Sequence, residues 1–408
     1  MAEADALIIR LHGQVVGTLT HLGGDRTIFS FAEAYMAPAD RPILSLGFKG
    51  EAGLLAETVP TQRRLAPFFA NLLPEGPLRT YLAARAGVNA GWEFPLLRAL
   101  GHDLPGAITA TAADDDASPG RQPAPPPGQA TPPGGALRFS LAGVQLKFSA
   151  VRNPGRRGGL TIPARGEGGD WIVKLPSAHF AGVPENEFAM MTLARAVGID
   201  VPEIALIAMD QIAGLPEGIA ALKAPAFAIR RFDRSAAGPV HVEDFAQVYG
   251  VYPDRKYTGA RLRGIAKVLA AEAPVESLDE FIRRVTFTVL IGNGDMHLKN
   301  WSLIYPDQRR AQRAPAYDFV STIPYIPGDS LALKAYKARA FTDVTFAEIA
   351  ALAAWAGAPA YGAVQIARET TGRFLDAWGQ EKSSLPLDAA TVASIDTHLA
   401  RLALGTGD

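Results

Sequence analysis

The segment from Ile291 to Ser302 reads I-G-N-G-D-M-H-L-K-N-W-S and gathers an aspartate, a histidine, a lysine and an asparagine in one short stretch. Asp295 and Asn300 stand in a D-x-x-x-x-N spacing. Phosphoryl transfer uses that spacing: the aspartate accepts the proton of the attacking hydroxyl, and the asparagine holds a Mg2+. Asp318, in A-Y-D-F-V-S, follows after one hairpin-sized interval. At about that distance such enzymes carry a second aspartate, which holds the metal against the phosphates. Lys174 lies mid-strand in W-I-V-K-L-P, ahead of a helix that carries Glu185 and Glu187. A lysine so placed contacts the α- and β-phosphates and pairs with a helix glutamate. The spacing leaves both glutamates open as the partner.

Each feature has a plainer reading in isolation. Gly292-Asn293-Gly294-Asp295 is an ordinary turn sequence. Asp318, flanked by Pro315 and Ser321-Thr322, could cap a helix. A lone strand lysine usually sits at a solvated edge. A turn, however, does not require His297, Lys299 and Asn300 followed by a strand pattern at Trp301–Tyr305. The second carboxylate tips the balance towards a phosphotransferase.

These groups need elements to hold them. Ala6 to about Phe48 reads as short strands, with a hairpin through His12-Gly13. Leu65 to Ala86 has helical spacing interrupted at Pro74. From Ala112 to Gly135 the chain is rich in Pro, Gly and Ala with almost no apolar bulk, which predicts a linker or a surface loop. Phe148–Val151, Trp171–Leu175 and Ala226–Phe232 read as strands, and Glu185–Val197 as a helix ended by Gly198. Helical patterns then cover Gly259–Ala271, Leu278–Leu290, Phe346–Ala356, Gly362–Trp378 and Ala389–Leu404. A mixed α/β part followed by an α-rich part suits a two-lobed enzyme with its site in the cleft between lobes. Ser140 to Lys147, S-L-A-G-V-Q-L-K, matches no general phosphate-loop pattern. Its place ahead of the lysine strand is that of a phosphate-covering loop.

The 408 residues are 48% hydrophobic, enough to bury a large core. A formal net charge of -1 and a pI near 6.7 give no global basic field, which argues against a free-standing nucleic-acid binder. With no cysteine, disulfides, thiolate metal sites and cysteine nucleophiles are excluded. The acidic N-terminus has only a short apolar run, and no stretch nears the ~20 apolar residues of a membrane span. A cytoplasmic protein is expected.

Taken together, the segments resemble the HipA family of serine/threonine kinases, the toxin component of bacterial type II toxin–antitoxin modules. The likeness runs over nearly the whole chain. V-V-G-T-L-T-H-L-G-G-D-R-T-I-F-S-F and F-F-A-N-L-L-P-E-G look like the family's N-terminal subdomain. F-S-L-A-G-V-Q-L-K looks like its phosphate loop, W-I-V-K-L-P its lysine strand, and A-I-R-R-F-D-R its hinge. N-G-D-M-H-L-K-N-W-S and Y-D-F-V-S-T look like its catalytic and metal segments. The resemblance implies an α+β, two-lobed protein-kinase-like fold, with a mixed α/β N-terminal lobe, an all-α C-terminal lobe and the active site between them. It divides the chain into an N-terminal subdomain (1–111), a linker (112–136), the N-lobe core (137–242) and a helical C-lobe (243–408).

By position, Asp295 becomes the catalytic base, and Asn300 and Asp318 the Mg2+ ligands. Lys174 holds ATP phosphates, covered by Ala142, Gly143, Val144, Gln145, Leu146 and Lys147. His297, Lys299 and Tyr317 lie near the nucleotide. Arg230, Arg231 and Phe232 form the adenine hinge, mainly through backbone groups. Ser140 is the autophosphorylation site, whose modification expels the phosphate loop and inactivates the enzyme. Three features depart from the family pattern: Arg230 stands where an acidic residue is expected, Leu146 where a polar one is, and the Pro-rich stretch is longer. The implied substrate is an aminoacyl-tRNA synthetase, glutamyl-type first and tryptophanyl-type second. The implied partner is a HipB-like helix-turn-helix antitoxin, through which DNA contact is mainly made. An aminoglycoside-type small-molecule kinase shares the D-x-x-x-x-N loop and is the alternative; a non-catalytic co-repressor scaffold is the third.

Overall fold

The computed structural model describes residues 5–50, 55–56, 58–116, 146–153, 159–162, 168–177, 179–215 and 223–405. The N-terminal region is built on an antiparallel sheet of order Thr61–Gln62, Arg26–Phe31, Gln14–Leu22, Ala6–Leu11, Ile108–Ala112. Alternation buries Leu7, Ile9 and Leu11 on one face. His12 and Gly13 both take positive φ at the first hairpin, the backbone a tight two-residue turn requires. Phe29, Phe68 and Phe69 pack edge to face under the sheet. The helical pattern over 65–86 resolves into one turn, Pro67–Ala70, and a helix, Gly76–Arg85. Pro74 supplies no N–H and disfavours helical backbone before it, so Asn71–Glu75 becomes a loop, with Asn71, Leu72 and Leu73 buried. Order continues into the first residues read as linker: Ala112 ends a strand and Ala113–Asp116 forms a helical turn.

The second sheet has six strands in the order Ile212–Ala213, Leu160–Thr161, Lys147–Arg152, Trp171–Lys174, Ala226–Arg230, Ile204–Ile207. Lys174 pairs across to Lys147 on one side and Phe227 on the other. It therefore sits at the centre of the sheet and not on a solvated edge. The helix Val183–Ala196 starts after Gly182 (φ 73) with Pro184 in its first turn, and stops before Gly198 (φ 89). Its apolar side joins Phe227 and Ile229 to the large core of the C-terminal half.

That half is predominantly helical: Leu262–Glu272, Val275–Leu290, Phe346–Trp355, Ala360–Glu381 and Ala389–Leu399. It also carries a small sheet, His241–Asp244, Ser302–Tyr305 and Gln312–Arg313, so it is not wholly α. The strand pattern at Trp301–Tyr305 is the sequence trace of that sheet. Val275–Leu290 is the central helix, buried along most of its length, and its C-terminal end delivers the chain to Asp295. Among the described residues no helix is long and apolar enough to cross a membrane.

Candidate active site

The loop after the central helix is fixed by its own backbone. Gly292 (φ 61) ends the helix, and a side chain there would press on Ile323. Asn293 is fully buried; its Oδ1 accepts the Asp295 amide at 2.9 Å and its Nδ2 donates to the Asp318 carbonyl at 3.3 Å. One asparagine thus ties the two carboxylate segments together. Gly294 N–H donates to Thr322 Oγ1 at 2.8 Å. Asn300 Nδ2 donates to the Asp295 carbonyl at 2.9 Å, which leaves the amide oxygen as the end available to a cation.

The Asp295 side chain is open to solvent at the cleft, yet the surrounding protein removes enough water to push its carboxyl up. Asp318 and Asp329 add to the rise, and the Tyr257 hydrogen bond and Lys256 oppose it. Tyr257 Oη donates to Asp295 Oδ1 at 2.6 Å. His297 is buried and held neutral, its pKa lowered to about 3 by burial and by Lys256.

Across the cleft, Lys174 bridges two carboxylates. Its Nζ lies 2.6 Å from Glu187 Oε1 and also bonds Asp318 Oδ1. Glu187, only 1% exposed, is the partner that the spacing left open; Glu185 does not reach the lysine. Burial works against charge on every member of this cluster. Lys174 is nevertheless held firmly cationic by the two carboxylates, and Asp318 is kept ionised, with a pKa of about 2, by Lys174 and Lys147. Burial lifts Glu187 to about 7. Asp318 is also a non-glycine residue at φ 58, a strained backbone of the kind that collects at functional sites.

Phe232 and Tyr317 face each other at the hinge, with ring centres 5.7 Å apart and planes tilted by 31°. Tyr317 Oη bonds the Lys299 carbonyl at 2.8 Å and Ser302 Oγ at 2.5 Å, which fixes the ring. The Arg230 and Arg231 amides are taken by the Glu203 and Asp170 carbonyls. The Arg231 guanidinium is committed to Asp233, Asp103 and Ser149.

Asp295, Asn300, Asp318, Lys174, His297, Tyr317 and Phe232 therefore come together from four separated segments. Lys147 joins them on the strand beside Lys174, with its side chain exposed. Ser140, Ala142, Gly143, Val144 and Gln145 lie outside the described residues. Leu146 differs from its expected phosphate-covering place: its side chain is 5% exposed in the apolar core under the sheet, where a leucine belongs. Lys299 differs as well. Its amine bonds Asn71 O (2.9 Å) and Asn71 Oδ1 (3.1 Å) of the N-terminal region, and Asp244 Oδ2 (3.1 Å) of the small sheet. Sequence reasoning missed Tyr257 and Glu75. Glu75 Oε2 receives Lys256 Nζ at 3.0 Å, a contact between residues far apart in the chain that no local spacing signals.

A lysine–glutamate pair on the sheet side, facing an aspartate–asparagine loop and a second aspartate on the helical side, defines a protein of two-lobed, kinase-like fold. Residues 7–111 match the HipA N-terminal domain and residues 139–378 the HipA-like C-terminal domain. The Sinorhizobium fredii protein named "Putative kinase Y4dM" is 53% identical over 401 residues, 98% of this chain and 97% of that one. The serine/threonine-protein kinase toxin HipA of Shewanella oneidensis is 27% identical over 362 residues, 80% of this chain and 77% of the toxin. A chain of the solved Shewanella oneidensis MR-1 complex of HipA, HipB and operator DNA matches with a TM-score of 0.72 at 22% identity, covering 97% of this chain and 96% of that one. At that identity the likeness shows the fold. The chain belongs to the HipA family.

Proposed function

We propose that the chain is an ATP-dependent serine/threonine protein kinase that acts as a HipA-type toxin. The observation that carries this reading is the Lys174–Glu187–Asp318 cluster facing Asp295 and Asn300. Phosphoryl transfer needs positioning and charge neutralisation more than covalent chemistry. Lys174 holds the phosphates, Asp295 takes the acceptor's proton, and Phe232 with Tyr317 lines the adenine side. The hinge's adenine-facing part begins at Phe232, because the two preceding amides are already bonded.

Asn300 and Asp318 offer hard oxygen donors that suit Mg2+. Among the described residues no three carboxylate or histidine side chains form a metal site of their own. A Mg2+ held by one or two carboxylates together with nucleotide phosphates does not require one. The ion, when bound, neutralises phosphate charge.

The family resemblance extends the proposal. The substrate is an aminoacyl-tRNA synthetase, with the glutamyl type favoured, and its modification blocks translation and growth. Ser140 is the self-inactivating phosphorylation site. A HipB-like antitoxin is the partner and mediates contact with operator DNA. The direct test incubates the full-length protein with Mg-ATP and purified glutamyl- or tryptophanyl-tRNA synthetase and maps phosphate by mass spectrometry. Phosphate on a synthetase serine or threonine and on Ser140 is expected. Transfer to aminoglycosides and to neither protein would replace the reading with the small-molecule kinase. Phosphate on Ser149 in place of Ser140 would move the regulatory site.

A further inference from the structure

Tyr257 belongs to no motif, yet its phenol holds the one position a substrate most needs. Its Oη donates to Asp295 Oδ1 at 2.6 Å. Its ring stands edge-on to His297, with centres 5.0 Å apart at 82°, and the residue is 41% exposed. The ring can thus turn outward without breaking a core. The chain that carries it is anchored at the preceding residue, through backbone and side chain alike. The Lys256 carbonyl accepts Leu298 N–H at 3.2 Å, and Lys256 Nζ bonds Glu75 at 3.0 Å. Burial, with Asp295, Glu75 and Asp329 around it, raises the phenol's pKa, so it stays protonated and remains a donor.

In phosphoryl transfer the Asp295 carboxylate receives the hydrogen of the acceptor hydroxyl. A phenol–carboxylate hydrogen bond is charge-assisted and stronger than a neutral one. The geometry points to Tyr257 as a gate on the acceptor site: its hydroxyl stands in for the acceptor's, which must displace it before transfer. A water molecule meets the same barrier, so the gate also limits idle ATP hydrolysis. This inference rests on the kinase reading above.

The test compares wild type with Tyr257→Phe, which keeps the ring packing and removes only the hydroxyl. The protein is the full chain with Mg-ATP. The acceptors are water and the synthetic peptide R-F-S-L-A-G-V, copied from residues 138–144. The gate predicts that Tyr257→Phe lowers the peptide KM about tenfold, the factor an ordinary charge-assisted hydrogen bond carries, with ATP KM and kcat unchanged. Phosphate release to water rises in parallel. A lower kcat with the peptide KM unmoved would mean that Tyr257 only positions Asp295, and the gate is overturned. Phosphate found on Tyr257 itself would make it an acceptor, which also overturns the gate. If the wild type releases and transfers no phosphate at all, the kinase reading fails first and the gate falls with it.

Discussion

Lys174 is at once a buried structural partner and the proposed phosphate ligand. Its ammonium is held between Glu187, nearly inaccessible at 1% exposure, and Asp318. Breaking a buried pair by removing one partner is far costlier than the pair's net worth, because a charge is left without compensation. Lys174→Met should therefore abolish ATP-dependent transfer and also lower stability by about 3 kcal/mol, read from chemical denaturation. Lost activity at unchanged stability would mean that the Glu187 contact contributes little to the fold. That Lys174, Asp295, Asn300 and Asp318 belong together was legible from spacing, and the structure gathers them. The choice of Glu187 over Glu185 was not: two residues on a helix differ by a large rotation, and only the packing of Val183–Ala196 on the sheet decides which one faces the strand. Tyr257 reaches Asp295 from 38 residues upstream and carries no pattern of its own.

At the level of elements, the surprise is how much of the N-terminal region is spent on holding the C-terminal half. The strand His241–Asp244 brings Glu243 fully out of water, where it accepts from Ser45 Oγ (2.5 Å), Leu46 N–H (2.9 Å) and Tyr305 Oη (2.5 Å). Despite three donors, burial raises its carboxyl from 4.5 to about 7. A carboxyl raised on folding supports the folded state fully below pH 4.5, and that support is lost as pH rises through about 7. Glu243→Gln mimics the protonated form. Wild type should lose on the order of 2 kcal/mol relative to this variant between pH 5 and pH 8, in paired denaturation curves. A constant difference across that range would show that Glu243 is ionised throughout. The long helices and the strand that carries Lys174 were legible, because their hydrophobic periods are clear; the helix Glu93–Leu100 and the strands Ile108–Ala112, Ile204–Ile207 and His241–Asp244 were not. One further miss is instructive: a helical period over 65–86 hides the Asn71–Glu75 loop, and only Pro74 signals the break. That loop presents Asn71 and Glu75 to Lys299 and Lys256.

For the whole molecule, these contacts make the N-terminal region part of one packed unit with the C-terminal half and not an appendage. Gly106 N–H bonds Asp233, Arg234 bonds Asp103, and Gln247 Nε2 donates to the Phe68 carbonyl. A chain beginning at residue 137 would expose Glu243, Lys299 and Lys256 without these partners. It should be insoluble or at least tenfold less active than the full chain, since unpaired groups of this kind cost about 1–3 kcal/mol each. A fully active, soluble fragment would assign the N-terminal region a role in partner binding alone. Such contacts join residues more than a hundred positions apart, which is why the sequence alone set the N-terminal subdomain apart from the rest but gave no sign of their dependence on each other.

The central claim is that Asp295 is the base of a phosphotransfer site whose nucleotide groups lie elsewhere, on Lys174 and Asp318. Measuring ATP binding and phosphate transfer on the same sample of Asp295→Asn tests it most directly. The account predicts wild-type Mg-ATP affinity with transfer reduced at least a hundredfold, the usual worth of a positioned general base. Transfer at the wild-type rate would contradict it.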